Sequence, residues 1–392
     1  MNVRPSWVEQ FPGNFQWSNA LLVCKGMAPY GAVSLADLDR VVAELVEAEV
    51  TSDNWFTAWK RVGEESQERA QAAEQQGDLV TAGSYFLRAG NYLYTGERFI
   101  EPGPEKVIAS QQAFQCYHRG IRLRFPQVEF VEVPYGDKTL PALFMPAQNA
   151  DAKAPCVIVF NGMDNCKEMS ILFAGLDLSA RGFHTLAVDG PGQGETMRLR
   201  NIPARPDYEV PAGAAIDWLS ERSEVDADRI AVLGYSFGGY YAARIAAKEP
   251  RVAAGIALTA GHWDFAKFQR AAREKAKAEQ KAVAQPKFQF QWVVGASNSD
   301  EALEIAEQFS VKNVAHEIRC PFLVTHGAQD RVVPVANATR LFDAIPSDTD
   351  KTLMIFETNG SSHAHVDDRP AGVAYAADWL SKRFFTSSSK VK

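Results

Sequence analysis

The stretch Ile230-Ala231-Val232-Leu233-Gly234-Tyr235-Ser236-Phe237-Gly238-Gly239-Tyr240-Tyr241-Ala242-Ala243-Arg244-Ile245-Ala246 decides the fold. Residues 230–233 form a short, continuously apolar run, the mark of a strand buried on both faces of a parallel sheet. Residues 240–246 are mostly small and read as a helix. Between them, Gly234-x-Ser236-x-Gly238 puts a serine on a sharp strand-to-helix turn, with glycines that let neighbouring backbone approach. A serine so placed is a candidate nucleophile.

Five more apolar runs flank this one: Cys156-Val157-Ile158-Val159-Phe160, His184-Thr185-Leu186-Ala187-Val188, Ala254-Gly255-Ile256-Ala257-Leu258, Phe322-Leu323-Val324-Thr325 and Thr352-Leu353-Met354-Ile355-Phe356. Helical patterns separate them, which predicts a doubly wound, mostly parallel α/β sheet. Ahead of them, residues 128–133 alternate, Pro134-Tyr135-Gly136-Asp137 turns, and residues 140–145 run on as the second arm of a hairpin. Residues 35–46 have helical spacing after Ser34, a candidate N-cap, and 55–74 and 79–94 read as two more helices broken at Gly77-Asp78. Residues 262–318 are too long for a simple crossover, and their alanine and charge content predicts inserted helices. The expected organisation is a helical cap over 1–122, a first core part over 123–261, a helical lid over 262–318 and a second core part over 319–386.

The chain has 392 residues, 46% of them hydrophobic and 23% charged, with a net charge of −7. That balance lacks the basic stripe of a nucleic-acid partner. The Lys-rich stretch Arg270 to Lys281 interleaves Glu274 and Glu279 and reads as a solvated helix face. No apolar run reaches bilayer length, and no charged-then-apolar leader opens the sequence, so a cytoplasmic protein is expected. Cys24, Cys116, Cys156, Cys166 and Cys320 lack CxxC spacing and read as reduced, mostly packed thiols.

A serine hydroxyl needs a base, itself oriented by an acid, and after a G-x-S-x-G turn these follow in the order acid, then histidine. Asp330, in Thr325-His326-Gly327-Ala328-Gln329-Asp330, lies just past a strand end and is the candidate acid, against a bland role as a turn residue. The base comes from the loop Gly360-Ser361-Ser362-His363-Ala364-His365-Val366-Asp367-Asp368. His363 is preferred to His365, which is left to touch substrate or solvent. Two histidines and two acids there also admit zinc, but His118, His184 and His316 stand isolated and complete no site, so neither metal nor cofactor is expected. An oxyanion hole calls for two N–H donors. Phe237, after the serine, and Met163, in Asn161-Gly162-Met163-Asp164-Asn165-Cys166-Lys167-Glu168, are the candidates, with Gly162 letting the chain turn. Asp164, Lys167 and Glu168 are expected chiefly to fix that loop.

Asp189-Gly190-Pro191-Gly192-Gln193-Gly194 lacks the spacing of a dinucleotide fingerprint and the lysine of a P-loop, and reads as a turn at the sheet edge. Gly162, Asp164, His262, Trp263 and His365 are the candidate substrate contacts. Trp7, Phe11, Phe15, Trp17 and Phe288-Gln289-Phe290-Gln291-Trp292 either line an apolar pocket, where a few should face Ser236, or pack the core.

Taken together, the motifs around Gly162, Asp189, Ser236 and Asp330, with Ala82-Gly83-Ser84-Tyr85-Phe86-Leu87-Arg88-Ala89-Gly90-Asn91-Tyr92 ahead of them, resemble a group of α/β hydrolases. It contains 2,6-dihydroxypseudooxynicotine hydrolase and fungal hydrolases that shorten polyketide chains in melanin pathways. The resemblance covers most of the chain and implies an α/β-hydrolase core under helical caps, a homodimer, and hydrolysis of a carbon–carbon bond next to a ketone in a small-molecule substrate. A His-x-x-His spacing in that group stands here as His363-x-His365. The same residues equally serve a carboxylesterase, an acyltransferase or cyclase; a non-catalytic binding protein on this scaffold is the reading an intact Ser, Asp and His disfavour.

Overall fold

The computed structural model describes residues 6–148, 153–279 and 288–385. Its centre is an eight-stranded sheet in the order β1-β2-β4-β3-β5-β6-β7-β8. The strands are β1 (Glu129–Tyr135), β2 (Lys138–Met145), β3 (Ala154–Phe160), β4 (His184–Val188), β5 (Val225–Tyr235), β6 (Ala254–Leu258), β7 (Phe322–Gly327) and β8 (Lys351–Phe356). The hairpin β1–β2 joins β4 antiparallel, and β3 to β8 run parallel. Tyr135 pairs with Lys138, so the hairpin turns on Gly136-Asp137 alone, and Pro134 belongs to the edge strand, where a missing N–H costs no ladder bond. The strand before the serine begins at Val225, hidden from pattern reading by the polar run Asp226-Ala227-Asp228-Arg229.

Residues alternate between the two faces of the sheet. Val157 and Val159 of β3 enter one hydrophobic cluster, and Cys156, Ile158 and Phe160 the other. The first cluster continues without a break into the N-terminal helices α1 (Phe15–Lys25), α2 (Leu35–Val46), α3 (Ser52–Gln75), α4 (Leu79–Gly96) and α5 (Pro104–Arg124). Two of the four N-terminal aromatic residues, Phe11 and Trp17, pack here. Trp17 packs on Phe11 at 5.5 Å and on Trp55 at 5.4 Å, and Trp55 meets Phe99 at 5.1 Å. Phe290 packs the other cluster with Phe265 at 4.7 Å. Trp292 covers Lys106 and Arg198, Phe15 covers Arg331, and Trp7 is exposed beside Lys25.

Ser34 stands at the start of α2 but its hydroxyl does not cap it; its N–H donates to the Tyr92 hydroxyl at 2.7 Å, which in turn donates to Asp37. Between β6 and β7 lie the helices Phe265–Glu279, Gln289–Val293 and Ser299–Ala306. The first carries the Lys-rich stretch as far as Glu279; its last two residues, like 280–287 of the expected lid and 386 of the expected second core part, lie outside the described residues. Burial pushes the Cys24 and Cys116 thiols up to about 12, so neither is an activated nucleophile. No helix among the described residues is long and apolar enough to cross a membrane.

Candidate active site

Ser236 follows β5 and immediately precedes the helix Phe237–Lys248. Its backbone has φ 59° and ψ −122°, a sparsely populated conformation that costs about 1–3 kcal/mol and lifts the side chain off the strand end. The turn closes because neither glycine has a side chain: a Cβ on Gly234 would collide with the Gly238 carbonyl, and one on Gly238 would stand 2.5 Å from the Phe160 carbonyl oxygen. Thr259, Ala364 and His365 share positive φ with Ser236, so four of the five such non-glycine residues described surround this one spot. Strain concentrated this way is a mark of function.

The loops after β7 and β8 bring two more side chains to the serine. His363 Nε2 lies 2.7 Å from Ser236 Oγ, and His363 Nδ1 lies 2.8 Å from Asp330 Oδ2. Burial works against the charge of Asp330, yet His363, His326 and the Val333 N–H together hold its carboxyl below the usual range. Its Oδ1 accepts from the N–H groups of Val332 and Val333, both at 2.8 Å. With Asp330 ionised, His363 carries its proton on Nδ1, which leaves Nε2 to accept the serine proton.

Of the expected oxyanion donors, Phe237 begins a helix, so its N–H has no carbonyl of the preceding turn to pair with. Met163 lines the same cavity as Ser236. Gly162 precedes the turn at Met163-Asp164 without a positive φ, and its missing side chain leaves room for the serine: a Cβ there would lie 2.9 Å from Ser236 Cβ and 3.2 Å from its Oγ.

Several expected contacts lie elsewhere. His365 is not a cavity residue: it is buried behind the loop, Nδ1 donating to the Gly360 carbonyl at 2.6 Å and Nε2 accepting from Thr325 Oγ1 at 2.7 Å. Trp263 packs against the second core cluster, its carbonyl held by Ser310 Oγ at 2.7 Å. His262 is buried beside Phe265 and Phe268, and burial, then the nearby His363, pull its imidazole down to about 3. Nor do the N-terminal tryptophans or Phe290 face the serine. The cavity walls include two of the expected contacts, Gly162 and Asp164, together with Asn19 and Val23 of α1, Arg98 and Arg369. Arg98 Nη2 donates to Asp164 Oδ2 at 2.9 Å, tying the N-terminal helices to the loop after β3. Arg98, Arg369 and the second buried imidazole beside Asp330, His326, were missed, because nothing in their local pattern separates them from solvated or packed residues.

His118 is not isolated: its Nε2 lies 2.8 Å from Glu168 Oε1, and His118, Glu168 and Glu195 converge within 4.8 Å. The Lys167 ammonium already fills that cluster, 2.6 Å from Glu168 and 2.7 Å from Glu195, so a lysine takes the place a cation would. Asp189 accepts from Asn161 Nδ2 and the Lys167 N–H, both at 2.8 Å, and from the Glu195 N–H at 2.8 Å. The glycine-rich turn thus belongs to a buried brace beneath the site.

Two family descriptions match this chain, each across more than half of it: the prolyl oligopeptidase family over residues 178–387 and the FrsA-like esterases over residues 32–274. The chain is an α/β hydrolase. Among its relatives is the alpha/beta hydrolase psoB of Aspergillus fumigatus, 26% identical over 411 residues and 91% of each chain. The alpha/beta hydrolase xenA of Xenoacremonium sinensis is 35% identical over 53% of this chain and 51% of its own. The 20-hydroxy-prefusarin hydrolase FUS2 of Gibberella moniliformis is 27% identical over 75% of this chain and 78% of its own. In three dimensions this α/β hydrolase superposes on 2,6-dihydroxy-pseudo-oxynicotine hydrolase with a TM-score of 0.76, at 23% identity, over 94% of this chain and 97% of that one. The shared fold includes the N-terminal helical region.

Proposed function

We propose that this α/β hydrolase uses Ser236 as nucleophile, His363 as base and Asp330 as acid to cleave a carbon–carbon bond next to a ketone in a polyketide, β-diketone or aryl ketone. One observation carries the triad: the unbroken line of hydrogen bonds from Ser236 Oγ through both His363 nitrogens to Asp330. The choice of bond follows the resemblance to the hydrolase group that contains 2,6-dihydroxypseudooxynicotine hydrolase, whose fold this chain shares.

In this reading Ser236 Oγ attacks the ketone carbonyl while its proton passes to His363 Nε2. Asp330 stabilises the imidazolium. The new oxyanion receives the N–H groups of Phe237 and Met163. The C–C bond breaks, the electron pair leaves with an enolate or an electron-rich arene, and His363 returns the proton to it. Water, deprotonated by the same nitrogen, then hydrolyses the serine ester and restores the enzyme. The active form is proposed to be a cytoplasmic homodimer taking a small-molecule substrate, with sedimentation at micromolar concentration as the check on the dimer.

A second reading, esterase chemistry on the same triad, is favoured by the FrsA-like match over residues 32–274. A fluorophosphonate should label the wild-type protein and spare Ser236→Ala; equal labelling of both sinks the nucleophile. Turnover of aryl β-diketones beside p-nitrophenyl esters separates the two chemistries, and fast ester cleavage with no ketone cleavage rejects the first.

A further inference from the structure

Arg369 opens the helix Arg369–Phe384 and lines the same cavity as Ser236 and His363. It is 3% exposed, yet its guanidinium donates to no carboxylate and no carbonyl among the described residues, and its Nε is buried without any partner. Its neighbours are the Phe173 ring, 4.8 Å away, and the phenols of Tyr30, Tyr117 and Tyr235. None of these neutralises it.

An unpaired buried guanidinium is costly, and proteins ordinarily supply a carboxylate where the role is packing alone. This chain does so elsewhere: Arg198, equally buried, is held by Glu97 at 2.8 Å. Arg98, the other guanidinium of the cavity, is paired through Nη2 with Asp164 but has its Nε buried and unpartnered too. Among the described residues that line the cavity, two guanidiniums stand against one carboxylate, Asp164, which pairs with Arg98. Gly26, which caps the end of α1, packs closely on Arg369, since a Cβ there would lie 2.8 Å from its Nε. The excess positive charge is buried and lines the same cavity as the reacting serine.

We propose that the substrate carries a carboxylate, and that the Arg369 guanidinium receives it. A guanidinium presents paired N–H donors in a fork that matches the two oxygens of a carboxylate, and such charge-assisted pairs are the strong ones. The pair anchors one end of the substrate while Ser236 attacks the carbonyl at the other. Specificity follows, because an uncharged analogue leaves the buried cation unpaired. The assignment rests on the reading of Ser236 as the reacting centre.

The test is binding to Ser236→Ala, which needs no turnover. Calorimetric titration compares 4-oxo-4-phenylbutyrate with its neutral primary amide. The acid is expected to bind about 10- to 100-fold more tightly. Arg369→Met in the same background should erase that preference, and Arg369→Lys should keep part of it. Circular dichroism checks that each variant is folded. Where Arg369→Met does not fold, the acid-to-amide ratio in Ser236→Ala and its reduction in Arg369→Lys decide. Equal binding of acid and amide, no binding of either at millimolar concentration, or a preference that survives Arg369→Met overturns the proposal. Fluorophosphonate labelling of the wild type reports separately on the nucleophile: a labelled Ser236 with no acid preference rejects only the carboxylate.

Discussion

Thr259 Oγ1 accepts a hydrogen bond from the N–H of Ala364 at 2.9 Å, joining the end of β6 to the residue next to His363. Thr259 has φ 78°, which a β-branched side chain adopts only under constraint. Thr259→Val removes the acceptor and should lower kcat about 10-fold through a misplaced His363, with KM little changed. Thr259→Ser keeps the hydroxyl and should restore the rate. Equal kcat in the Val and Ser variants would show that the bond does not position the base.

His363 and His365 should separate cleanly by variant. His363→Ala is expected to lose activity by about 10³-fold or more with little change in stability. His365→Ala should leave Thr325 Oγ1 and the Gly360 carbonyl without their partner and lower stability by about 1–3 kcal/mol. Urea unfolding and steady-state rates measured together distinguish them, and the reverse pattern would reassign the base.

Why the sequence left these two histidines ambiguous is instructive. They stand two residues apart, and consecutive left-handed residues, Ala364 at φ 50° and His365 at φ 55°, send them to different sides of the loop. No side-chain pattern encodes that. Ser236, by contrast, was legible because its strand, glycines and helix are contiguous. Asp330 and the loop that carries the base could be singled out because strand ends are local features and the sheet dictates where they converge. Arg98 and Arg369 were not, for their meaning depends on packing between segments some 270 residues apart. Ser34 shows the same limit in miniature: a capping residue by type, it is held by Tyr92, 58 positions downstream.

Acid should weaken the fold through its buried imidazoles. Burial holds His365 down to about 4 and His262 to about 3, against an ordinary 6.5. The unfolded chain therefore takes up these protons near pH 6.5 while the folded one does not. Stability is complete above that pH and falls as pH drops towards 4, by up to about 1.4 kcal/mol per pH unit for each histidine. Urea midpoints from pH 7.5 to 4.5 measure the slope, and His262→Phe should flatten it. An unchanged slope in that variant counts against the assignment.

Gly162→Ala should fold but turn over slowly. Its methyl would meet Ser236 at 2.9 Å, and the serine, held by a strained turn, has nowhere to retreat. A loss of about 10²-fold in kcat/KM is expected, with an unfolding midpoint close to that of the wild type. Fluorophosphonate labelling at the wild-type rate would argue that the gap is not needed.

Lys167→Met should be among the most damaging changes to stability. It strips the cation from Glu168, Asp189 and Glu195, two of them fully buried. Breaking a buried ionic group of this kind costs about 3–5 kcal/mol. Thermal unfolding checks the loss, and a midpoint within a few degrees of the wild type would refute it.

The helices that roof Ser236 share one apolar core with a face of the sheet, from Trp17 and Trp55 through to Val157 and Leu233. Such a roof cannot be exchanged as a module without opening the sheet beneath it. A change of substrate range is then best sought at the few roof positions that look into the cavity, Asn19 and Val23 foremost, with the tryptophans behind them left in place.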